Sequence, residues 1–100
     1  MIKHIVLWKL KDNAGGNDKM KNALLIKEKL ENLNGKIEGL IKIEVGIDFS
    51  NTDNSSDLAL YSEFVSRQAL NGYQNHPLHK EIMPFVMEAR SERRTVDYEL

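Results

Sequence analysis

The side chains best suited to chemistry in this chain are His4 and the run Tyr73-x-x-His76-Pro77-x-His79. Imidazole ordinarily titrates close to neutrality, so a histidine can accept or release a proton under physiological conditions. Pro77 is favoured in the first turn of a helix, where its missing N–H costs nothing. His76 then precedes that helix and His79 falls in its first turn. The positive end of the helix dipole disfavours an imidazolium there, leaving His79 neutral and able to take a proton from a carbon beside a carbonyl. Tyr73 would donate its phenolic hydrogen to the developing enolate oxygen. The structural alternative is that His76 caps the helix while His79 and Tyr73 only fix the loop. His4 also has two readings. On an apolar strand face a histidine is ordinarily a core residue satisfied by a hydrogen bond; as a general base or orienting donor it needs Tyr73 or His79 nearby.

Other chemistries find less support. His76 and His79 are three apart and, with His4, offer three nitrogens, but His76 stands outside the helix and Glu81 is the lone acid beside them, so no metal site is expected. The chain has no cysteine, which excludes disulfides, thiolate nucleophiles and sulfur-ligated centres. Arg90, Arg93 and Arg94, interrupted by Glu92, read as solvated surface, with a carboxylate anchor as the alternative use of their forked donors. Without interleaved aromatics, and with a net charge of −1, they do not point to nucleic acid. No cofactor is expected.

The elements that must position these groups follow from periodicity. Residues 2–10 alternate as a strand, with Ile2, His4, Val6, Trp8 and Leu10 on one face and Lys3, Ile5, Leu7 and Lys9 on the other. A loop at 11–16 leads to a helix near 18–34, capped by Asn17 or Asp18, in which Met20, Ala23, Ile26, Leu30 and Leu33 form one stripe. Asn34-Gly35 is a natural stop. A second strand covers about 40–49, with Ile41, Ile43, Val45, Ile47 and Phe49 alternating with Lys42, Glu44, Gly46 and Asp48, and a third covers 58–65, joined to it by a polar turn. A short helix runs from Ser66 to about Gly72, and a further one opens at His76-Pro77, with Pro84 expected to kink or split it. Residues 93–98 close the pattern as a strand. Trp8, Tyr61 and Phe64 suit the core or an interface, and any of them could line a cavity.

The order β-α-β-β-α-β is the split βαβ arrangement of ferredoxin-like α+β folds, with a four-stranded antiparallel sheet and helices on one face. At 100 residues the chain fits a single domain, 1–100. The first and third strands are apolar on both faces, and the uncovered one should exceed the ~300–600 Å² typical of the largest patch on a monomer. Stacking two sheets face to face removes it, so a homodimer is expected. Lysines at positions 3 and 9 interrupt the apolar start, so it does not read as a signal peptide, and no segment is long enough to span a bilayer. A cytoplasmic protein without membrane or nucleic-acid partners is the expectation.

The segments His4-Ile5-Val6-Leu7-Trp8-Lys9-Leu10, Leu60-Tyr61-Ser62-Glu63-Phe64, the run from Leu70 to His79 and Val96-Asp97-Tyr98-Glu99 resemble the stress-responsive dimeric A/B barrel (Dabb) family over nearly the whole chain. The resemblance implies a ferredoxin-like protomer whose sheet pairs with its twofold mate into a barrel, with a small-molecule cavity between sheet and helices. Among the relatives are cofactor-free plant polyketide cyclases of the olivetolic acid cyclase kind, which close a ring by intramolecular aldol condensation. Their acid–base residues match His4, Tyr73 and His79 by motif position, and His76 and Trp8 are the further candidates for substrate contact. The residues shaping the cyclase's hydrophobic tail pocket differ here, so its substrate does not carry over. Two functions follow as expectations: a small-molecule-binding dimer without chemistry of its own, or a cofactor-free acid–base enzyme, a cyclase or isomerase, acting on a carbonyl compound. An oxygenase of the same shape is a third.

Overall fold

Along Ile2–Leu10 every second side chain is buried, so one face of this strand must be covered by helices. The computed structural model describes all of residues 1–100. In chain order it contains β1 (Ile2–Leu10), a short hairpin of β2 (Asn13–Ala14) and β3 (Asn17–Asp18), α1 (Lys19–Glu31), β4 (Leu40–Ile47), β5 (Leu58–Phe64), α2 (Arg67–Asn75), α3 (Pro77–Ala89) and β6 (Arg90–Glu99). The four long strands form an antiparallel sheet in the order β4-β5-β1-β6, the ferredoxin-like arrangement. Ile2, His4, Val6, Trp8 and Leu10 of β1 face the helices together with Leu58, Leu60, Ser62 and Phe64 of β5, and Ile26, Leu30 and Val86 close the core over them. No helix is long and apolar enough to cross a membrane.

Several local expectations are corrected. The loop at 11–16 is a hairpin, because Gly15 and Gly16 both take positive φ, the pair of values that a two-residue turn of this hand requires. Asn22 is buried and donates to the Ala14 carbonyl at 3.1 Å, tying that hairpin to α1. Met20 is 56% exposed, because at about 100° per residue it stands well off the middle of the stripe formed by Ala23, Ile26 and Leu30. Leu33 is buried, but beyond the helix, which ends at Glu31. In β4 a register shift between Leu40 and Lys42 puts Leu40 in the core and turns Ile41 outward. Phe49 lies past the strand end and is almost fully exposed. The short helix α2 continues past Gly72 to Asn75, and the closing strand begins at Arg90. Pro84 does not divide α3, which runs unbroken with Val86 and Ala89 packed beyond it.

The outer edge of β4 is closed by side chains from α1 and the turn after it. Asn34 accepts from the Ile43 N–H at 2.9 Å and donates to the Ile43 carbonyl at 2.8 Å. Glu31 accepts from the Val45 N–H at 3.0 Å, and Lys27 donates to the Val45 carbonyl at 2.6 Å. Burial works against the Glu31 carboxylate, yet the Lys27 ammonium and the Val45 N–H hold its pKa below the ordinary value. An unpaired strand edge is a template for aggregation, and here it is masked within the chain. Asn34→Ala removes both hydrogen bonds to Ile43 and one to the Glu31 carbonyl, and should cost about 1–3 kcal/mol in chemical denaturation and raise the rate of aggregation. An unchanged midpoint would mean that water replaces the amide fully.

Candidate active site

His4 is 4% exposed in the middle of the sheet, where a histidine must have partners. The register supplies them. Ser62 lies opposite on β5, and its hydroxyl donates to the His4 carbonyl at 2.9 Å. Asp97 lies opposite on β6, and its Oδ1 is hydrogen-bonded to His4 Nδ1. A carboxylate on Nδ1 favours the tautomer with the proton there, leaving Nε2 as an acceptor. His4 is therefore a satisfied core residue whose ring is held in one orientation.

Tyr73 comes from α2 and packs its ring 5.0 Å from Phe64, 6.3 Å from His4 and 4.5 Å from His79, centroid to centroid. Burial pushes its phenol pKa far above the ordinary value, so it stays protonated and keeps a hydrogen to donate. His79 comes from the first turn of α3, started by Pro77 as the sequence predicts. Burial lowers its pKa, the nearby His4 and Arg93 push the same way, and a hydrogen bond to the Gln74 backbone opposes them. Loss of hydration thus disfavours the imidazolium form of His79.

These three side chains and Trp8 line one cavity of about 60 Å³, walled by Val6, Leu30, Leu60 and Met83 and bordered by Gln74, Arg90 and Arg93. Two of the lining residues carry a buried nitrogen without a hydrogen-bond partner, Trp8 at Nε1 and His79 at Nδ1. His76 is not among the lining residues. Its Nδ1 accepts from the Leu78 N–H at 3.1 Å, capping α3, and the residue borders an open outer groove with Gly39 and Ala69. The cap separates it from His4 and His79, so the three imidazoles do not gather. Gly39 must be glycine, since its φ is +83° and a Cβ would stand 2.5 Å from that of Ala69.

Asp97 is the residue that sequence reasoning missed. Its only signal is the pairing of the first and last strands, because opposing Ile2 with Glu99 brings Asp97 to His4. The polar set can hold a carbonyl: Tyr73 and Trp8 donate to its oxygen, while a neutral imidazole accepts a proton beside it. The lowered His79 pKa also sets a pH dependence. In the window below the ordinary histidine value of about 6.5 the unfolded chain binds the proton more tightly than the fold, so stability rises with pH there. Unfolding midpoints should fall on acidification through this window, and His79→Gln should flatten the slope; an equal slope in both proteins would assign it elsewhere.

A ferredoxin-like sheet with a polar cavity between its inner face and its helices defines the class. The chain belongs to the stress responsive A/B barrel domain family, Dabb, which it matches over residues 2–100. A dimeric protein of unknown function and ferredoxin-like fold from Bacteroides fragilis is 37% identical, with a TM-score of 0.86 over 99% of this chain and 95% of that one. An uncharacterised protein of Streptomyces coelicolor is 34% identical over 80 residues, 80% of each chain. A hydroxynitrile lyase from Passiflora edulis shares the fold at a TM-score of 0.82 and 17% identity, over 99% of this chain and 92% of the lyase.

Proposed function

We propose that the protein binds a small carbonyl compound in this cavity and moves a proton on it without a cofactor, as an isomerase or a polyketide cyclase-like enzyme. The observation that carries the reading is the convergence of His4, Tyr73 and His79 on one cavity. His79 takes the proton from the carbon beside the carbonyl, and Tyr73 donates a hydrogen bond to the enolate oxygen that results. The enolate then either accepts a proton at another position, with His4 as its relay, or attacks a second carbonyl of the same molecule to close a ring, the proton held by His79 passing to the oxygen of that second carbonyl as its C=O bond opens. A space of about 60 Å³ admits the reacting end alone, so a longer substrate extends past Arg93 into solvent. The test is proton NMR in D₂O with a panel of small ketones and 3-oxo esters. Loss of the signal beside the carbonyl faster than in buffer is expected. Compounds that bind but exchange at the buffer rate would leave a binding protein without chemistry.

The same reading includes a homodimer formed by the outer sheet face and closing a barrel. Leu7, Val96 and Tyr98 on that face are 39%, 53% and 42% exposed, and Ile5 and Ala59 lie beside them in the register. A second copy covers this surface, in keeping with the relative from Bacteroides fragilis, which is described as dimeric. Light scattering should give twice the 11.5 kDa chain mass, and Leu7→Glu should halve it. A monomer in the unaltered protein would refute the dimer.

A further inference from the structure

Among the residues that line the cavity there is no carboxylate. Arg93 lies opposite Trp8 in the β1–β6 register, which places it on the helix-facing side of the sheet, and Arg90 caps the end of α3; both border the cavity. Neither guanidinium takes part in any of the chain's ion pairs. Of the acids nearby in sequence, Asp97 holds the Nδ1 of His4, Glu92 lies 3.8 Å from Lys9 and 3.4 Å from Arg94, and Glu88 forms no ion pair with either arginine. Trp8 is 3% exposed and lines the same space, and its indole N–H is buried without a partner. Two unpaired guanidinium groups and a buried indole donor complement an anion, and a guanidinium fork matches a carboxylate in two parallel hydrogen bonds.

From this we infer that the ligand is a small oxo acid, whose carboxylate is held by Arg93 and Arg90 at the mouth while its carbonyl points inward toward Tyr73 and Trp8. Arg93 is exposed and Tyr73 buried, which sets that order. The volume of about 60 Å³ limits the inward part to a few heavy atoms. The depressed basicity of His79, to which Arg93 contributes, is consistent with positive charge facing the same space. The inference rests on the acid–base reading above and names its substrate class.

The experiment compares acetoacetate with its neutral methyl ester, binding being read by NMR titration of the ¹⁵N-labelled protein and α-proton exchange separately in D₂O. Acetoacetate should bind at least about tenfold more tightly, the worth of a charge-assisted pair. Arg93→Gln and Arg90→Gln should each shrink that preference. Arg67→Gln removes the same charge at the exposed start of α2, away from both the cavity and the outer sheet face, and should preserve it. Equal or tighter binding of the ester overturns the inference, as does an equal effect of Arg67→Gln or failure of both compounds to bind. A carboxylate preference with exchange only at the buffer rate sustains this inference and refutes the proton transfer. Faster exchange of neutral ketones with no carboxylate preference does the reverse.

Discussion

His79→Ala is expected to slow α-proton exchange by about 10²–10⁴-fold, the usual contribution of a positioned general base. The side chain is half-buried, and its Nδ1 has no partner to lose, so fold and dimer should survive the change. Circular dichroism and light scattering check that survival. Asp97→Asn is the companion variant. It keeps the shape at His4 Nδ1 but removes the charge that fixes the tautomer, so it should slow the reaction by a smaller factor and shift its pH profile. A merely structural Asp97 would alter stability and leave the profile in place. Full activity in both His79→Ala and His4→Ala would end the catalytic proposal, and the binding reading would then stand alone.

The second large effect concerns the core. Ile26 and Leu30 are both fully buried on the sheet-facing side of α1, and truncating either to alanine should cost about 2–5 kcal/mol in urea unfolding. The two differ in function. Leu30 walls the cavity and Ile26 does not, so Leu30→Ala should also enlarge the site and change which probes bind. Ile26→Ala should lower stability while preserving ligand preference in the protein that remains folded. A loss near zero for both would mean that this stripe does not form the core.

Strand alternation and helix signals are short-range properties, and they were legible. The inward set of β1, the Asp18 cap of α1, the Pro77 start of α3 and the order of elements can all be read from neighbours a few residues apart. His4, Tyr73 and His79 were picked out the same way, from side-chain chemistry and the spacing around Pro77. Where one residue of register or one degree of neighbour packing decides, reading failed. The shift at Leu40/Lys42 turned Ile41 outward, and packing beyond Pro84 kept α3 whole.

By itself, then, the sequence determined which side chains share a strand face or a helix turn, because those relations follow from backbone geometry alone. Only the tertiary structure decided which of the candidate groups meet. Pairing of β1 with β6, 93 residues apart between His4 and Asp97, formed the oriented imidazole, and the crossing of α2 and α3 over the sheet brought Tyr73 and His79 to it. His76, three residues from His79, was turned away by the N–H of Leu78 that it caps. Separation along the chain carries no information about such meetings, which packing and strand register impose together.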